Sequence, residues 1–92
     1  MRRPKGFQLL GRHWTVRIIP KKDWKDEASV GLCSFEKCEI SIMRNTPEAM
    51  EHVLLHEYLH AALDAMGSKL YSNEPFVDNL SGLLHQILTS AK

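Results

Sequence analysis

Between Thr46 and Gly67 the chain has one good local solution, a long helix. Thr46 is a strong N-cap residue and Pro47 suits the first helical position. Glu48 and Glu51 complement the positive end of the helix dipole. Gly67 is the expected C-terminal stop. A helix running to Met66 has some 20 residues and is about 30 Å long. Val53, Leu59, Ala62, Leu63 and Met66 are its expected packing stripe. Whatever else folds must pack against this rod.

The helix carries His56-Glu57-Tyr58-Leu59-His60, which reads H-E-x-x-H. Residues four apart share a helix face, so His56 and His60 aim two imidazoles at one point. That is the spacing zinc needs from two nitrogen ligands. Glu57 projects close to the same point without having to bind, and can act as general base toward a metal-activated water. Two histidines and a glutamate on so apolar a helix are costly to bury unless something uses them.

The first half of the chain reads as strand. Phe7 to Ile19 is one strand interrupted by a bend or turn at Gly11-Arg12, and Trp14, Val16 and Ile18 alternate with Thr15 and Arg17. Pro20 ends it. His13 is a surface residue, and Trp24 is expected to cover one side of the core. Val30–Phe35 and Cys38–Met43 are two further strands joined by a loop longer than two residues, with Ile40 and Ile42 on one face. After the long helix, Ser68 to Ser72 is a connection. Ser72 or Asn73 then caps a second helix with Pro75 in its first turn. Phe76, Val77, Leu80, Leu83, Leu84, Ile87 and Leu88 recur at helical spacing. The expected architecture is α+β: a small sheet of about three strands packed on two long helices. At 92 residues one domain is expected over 1–92, with 1–6 as a flexible tail.

A catalytic zinc usually takes three protein ligands and keeps one position open. His52 is a poor third ligand: it lies about 12 Å along the axis from His60, too far to converge with it. The second helix offers Glu74 and Asp78, which share a face; Glu74 is the preferred third ligand and Asp78 the alternative. His85 can line the cleft, and Asp64, four residues after His60, can orient a ligand histidine. Cys33 and Cys38 are too few for a disulfide scaffold. They face each other across a hairpin if the turn is Ser34 to Lys37. The C-x4-C spacing lacks a second ligand pair, so two reduced, partly buried thiols are expected.

The run Glu51 to Ala61, followed by Asn73-Glu74-Pro75-Phe76-Val77, resembles the small zincin-type metallopeptidases encoded by phages and prophages. These are similar in turn to ImmA/IrrE-type and SprT-like peptidases. Gly31-Leu32-Cys33 leading to Ile40-Ser41-Ile42 is similar to the strand pair before the active-site helix of that family. The resemblance covers about residues 7 to 88, with its sharpest point at H-E-x-x-H. It implies a minimal zincin-like domain in which His56, His60 and Glu74 hold Zn2+ and Glu57 is the catalytic base. It also implies a strand bordering the cleft, to which an extended substrate adds; Cys38–Met43 is the candidate.

The expected function is zinc-dependent peptide-bond hydrolysis on a protein or peptide substrate. The competing reading is a non-catalytic, zinc-stabilised protein-binding module of phage or prophage origin, since small domains often need a staple. The intact Glu57 favours the enzyme, because a structural zinc is usually closed by four ligands and needs no base. A net charge of +1 with no basic stripe argues against direct nucleic-acid binding, the third possibility. No stretch approaches the ~18 apolar residues of a membrane span, and no signal-peptide region is evident, so a cytoplasmic location is expected.

Overall fold

The computed structural model of the protein describes residues 5–91. Strand β1 (Gly6–Leu9) folds back on β2 (Arg12–Ile19). The two-residue turn between them, Leu10 and Gly11, has positive φ at both positions, 50° and 76°. That geometry matches strand twist, which is why it makes a tight hairpin and not a bend. The single interrupted strand expected over Phe7–Ile19 is therefore two strands. Among the described residues the sheet has four strands, not about three, in the order β1-β2-β4-β3.

The expected tail is only partly testable, since residues 1–4 lie outside the described residues. Its remaining two positions are structured. The Lys5 carbonyl accepts from the Val16 amide at 2.9 Å, and Gly6 opens β1.

β3 (Gly31–Ser34) and β4 (Glu39–Met43) form the expected antiparallel pair, with Leu32 opposite Ser41. β4 also runs parallel to β2, placing Val16 beside Ile40 and Ile18 beside Ile42. It is thus paired on both sides. Cys38–Met43 cannot be the strand that borders the cleft; the edge is β3. Cys33 lies opposite Ile40, so the two cysteines do not face each other across the hairpin, and both are free thiols.

One sheet face builds the core. Trp14, Val16, Ile40 and Ile42 are buried together with Met50, Leu54 and Ala61 of α1 (Pro47–Ala65). Thr15 and Arg17, which point the other way, are exposed. Phe7 closes one side, with its ring stacked on Trp14 and edge-on to Tyr58 at 4.9 Å. Trp24 is not part of this core. Its indole Nε1 donates to the Asp26 and Ser29 carbonyls, tying down its own loop.

α1 starts and stops as its caps dictate. Thr46 Oγ1 accepts from the Ala49 amide at 3.2 Å, and Gly67 follows the helix at φ 73°. The buried stripe is a different one from that expected. It runs through Met50, Leu54, Glu57, His60 and Ala61, while Met66 is largely exposed. Apolar and polar residues are spread around α1, so periodicity alone could not say which face meets the sheet.

A 3₁₀ turn at Lys69–Ser72 leads into α2 (Glu74–Ser90), whose N-cap is Asn73. Val77 and Ser81 are fully buried. The side-chain pairs His60–Glu74, His56–Asp78 and Glu51–His85 show the two helices running in opposite directions. No helix among the described residues is long and apolar enough to cross a membrane.

Candidate metal centre

His56 and His60 stand one turn apart on α1, and their Nε2 atoms are 3.1 Å from each other. Their rings meet at 61°, so the two nitrogens converge. The start of α2 brings Glu74 to the same point. Its Oε1 is 2.9 Å from His60 Nε2 and its Oε2 is 3.2 Å from His56 Nε2. One donor atom from each of these residues falls within a sphere where all lie within 4.8 Å of one another. Atoms bound to one tetrahedral ion at 2.0–2.1 Å stand about 3.3 Å apart. The observed spacings are close to that value.

The other ring nitrogens are occupied. His56 Nδ1 is 2.9 Å from Asp78 Oδ1, and His60 Nδ1 is 2.5 Å from the Tyr71 carbonyl oxygen. Both acceptors can accept from an Nδ1–H, the arrangement that frees each Nε2 to serve as a ligand when an ion is bound. Two imidazole nitrogens and a carboxylate are a donor set that suits a dication such as zinc. Asp78 thus meets His56 on the side away from the cluster, whereas Glu74 is within it. Pro75, directly after Glu74, fits the first turn of α2 without displacing its start.

The remaining candidates separate cleanly. Asp64 contacts neither histidine; Asp78 and the Tyr71 carbonyl take the positions in which Asp64 was expected. His52 is outside the cluster and stacks on His85, with ring centroids 5.0 Å apart and planes 8° from parallel. His85 lies beside Glu51, its Nε2 3.8 Å from Oε1, and does not line the cleft. Sequence reasoning missed the Tyr71 carbonyl. A backbone acceptor has no side-chain signature, and only the 3₁₀ turn places it.

Glu57 points from α1 toward β3 and is 6% exposed. Burial pushes its carboxyl up to about 7; the His60 ring opposes this, while Glu74 and Asp78 add to it. A carboxylate so tuned is suited to taking a proton near neutral pH. Burial likewise pushes the Cys33 thiol up to about 12, with Glu57 and Asp64 adding to the effect. A cleft of about 810 Å3 runs over the site. Its walls include Gly31 and Leu32 of β3, His56 and Glu57 of α1, and Tyr71 and Glu74 beyond.

No protein-family model, curated protein or solved structure matches this chain.

Proposed function

We propose that the protein is a zinc-dependent metallopeptidase built on a minimal zincin-like core. One observation carries this reading: two imidazole Nε2 atoms and a carboxylate converge, with both Nδ1 atoms already held. The residues present fit the metal. His56, His60 and Glu74 would hold it, Asp78 and the Tyr71 carbonyl would orient the histidines, and an open position would face the cleft. Zinc held there would act as a Lewis acid on the scissile carbonyl and lower the pKa of a water toward ~7.

The chain's own residues supply the rest. Glu57 takes a proton from the attacking water and returns it to the leaving amine. Its burial keeps bulk water away from the proton it carries. The free edge of β3 offers main-chain donors and acceptors along the cleft, to which an extended peptide can add. We assign the activity to the cytoplasm of a bacterial or phage-infected cell, where the free Cys33 and Cys38 stay reduced.

The test compares wild type with Glu57→Gln and Glu74→Gln. Purified wild type should carry about one zinc per chain and cleave members of an unfolded-protein library. Glu57→Gln should keep zinc and fold and lose cleavage at least 100-fold. Glu74→Gln should lose zinc, since a neutral amide oxygen is a poor donor to a dication. Cleavage by Glu57→Gln at the wild-type rate would overturn the mechanism. A wild type that binds zinc and cleaves nothing would instead favour the zinc-stabilised binding module.

A further inference from the structure

Glycine weakens a strand interior, and Gly31 sits at the start of an edge strand. Its backbone does not require glycine, since only Gly11 and Gly67 have positive φ among the described glycines. The reason lies across the sheet–helix interface. A methyl group at Gly31 would stand 2.6 Å from Val53 Cγ1 and 2.8 Å from Glu57 Oε2. Both distances are far inside van der Waals contact, so any side chain here must push something aside. The carboxylate tip of Glu57 therefore rests directly on the backbone of β3. Two residues on, Cys33 faces the same side of the strand and is half-buried there. Glu57 is 6% exposed in this setting.

We propose that Gly31 is a positioning residue for Glu57: the bare backbone of β3 is the surface that holds the base's carboxylate at the mouth of the His56–His60–Glu74 cluster. This rests on the reading of Glu57 as the base. The nearest atoms to a side chain at Gly31 belong to Val53 and Glu57 and to none of the three cluster residues, so its effect on the site is expected to pass through Glu57. The competing account is ordinary packing, in which Gly31 merely makes room for Val53. The two accounts part company when the Val53 clash is removed and the Glu57 clash is left.

The experiment uses zinc-loaded full chain and three variants: Gly31→Ala, Gly31→Ala/Val53→Ala, and Glu57→Gln as the reference. Zinc content, melting temperature, and kcat and KM on the best-cleaved peptide of the unfolded-protein library are measured for each. Gly31→Ala should keep one zinc, melt lower, and lose kcat at least tenfold with KM changed less than twofold. The double variant, in which the new methyl occupies space vacated by Val53, should melt above Gly31→Ala. Its kcat should stay low. A crystal structure of the double variant should show the Glu57 carboxylate displaced by roughly 1 Å or more, with the two histidines and Glu74 unmoved. Recovery of kcat in the double variant would overturn the proposal, as would a carboxylate found in its original place. Should wild type cleave no peptide, the failure belongs to the peptidase reading. The crystal structure then still decides whether Gly31 sets the carboxylate's position.

Discussion

Glu57 is the residue at which burial and chemistry meet. Its carboxyl is raised from 4.5 to about 7 by burial. A raised acid binds its proton more tightly in the fold than in the unfolded chain. Between pH 4.5 and 7 the native state therefore holds more protons, and stability falls as pH rises through that window. The full shift corresponds to on the order of 3 kcal/mol lost by pH 8. Metal-free Glu57→Gln has no such charge to bury. It should be more stable than metal-free wild type at pH 8 and lose that advantage near pH 4.5, as read by urea unfolding at both pH values. An equal gap at both would mean that the carboxylate is not desolvated. Asp78 gives a second prediction at this scale. Asp78→Asn keeps a hydrogen-bond acceptor toward His56 but removes its charge, so zinc should bind 10–100-fold more weakly without being lost. Competition with a chelating dye measures this, and an unchanged affinity would show that Asp78 does not support His56.

At the scale of elements, local signals were legible where one residue dominates the outcome. Thr46, Pro47 and Gly67 set the ends of α1, and Asn73 set the start of α2. The H-E-x-x-H pair converges because helix geometry leaves it no choice. What stayed hidden depends on neighbours. Leu10 gave no turn signal, because leucine seldom takes positive φ; Gly11 and the strand twist impose it. Replacing it with the preferred residue should help. Leu10→Asn creates an Asn-Gly turn at an exposed site and should stabilise the hairpin by up to about 1 kcal/mol. Thermal melts would read this as a rise of several degrees, and a fall would argue against the turn geometry. The face of α1 that meets the sheet was equally hidden, since its apolar and polar residues are spread around the axis and advertise no side. Glu74 was preferred over Asp78 from the sequence, and the structure brings it to the two histidines; the 3₁₀ turn at Lys69–Ser72, whose length sets where α2 begins along α1, gave no signal of its own.

At the scale of the whole molecule, the candidate centre spans the joint between α1 and α2. α2 packs on α1 through few fully buried residues, Val77 and Ser81 among them. Glu74 reaches across that joint to both histidines. An ion held by all three would clamp the second helix to the first. Zinc at 100 times its dissociation constant stabilises by about 2.7 kcal/mol. In a domain of this size that is a rise of roughly 10 °C or more. Chelation should lower the melting temperature by that amount in wild type and leave His60→Ala unchanged, measured by calorimetry with and without chelator. No shift in wild type would remove the centre from the fold's support.

The place of β4 has a consequence for how the chain acquires its shape. β4 is the last strand in sequence, yet it lies between β2 and β3. As the chain leaves the ribosome, the first hairpin and β3 have no shared partner, and β3 can pair with nothing native until residue 39 has emerged. β4 then completes the sheet as a wedge that meets β2 and β3 together. The long helix that covers its inner face follows within a few residues. β2 and β4 make the longest-range pairing of the sheet, so the arrival of the wedge is the step expected to limit folding. Substitutions at Ile40 or Ile42 should therefore slow refolding, whereas those in the Leu10-Gly11 turn should act mainly on an element that forms ahead of it.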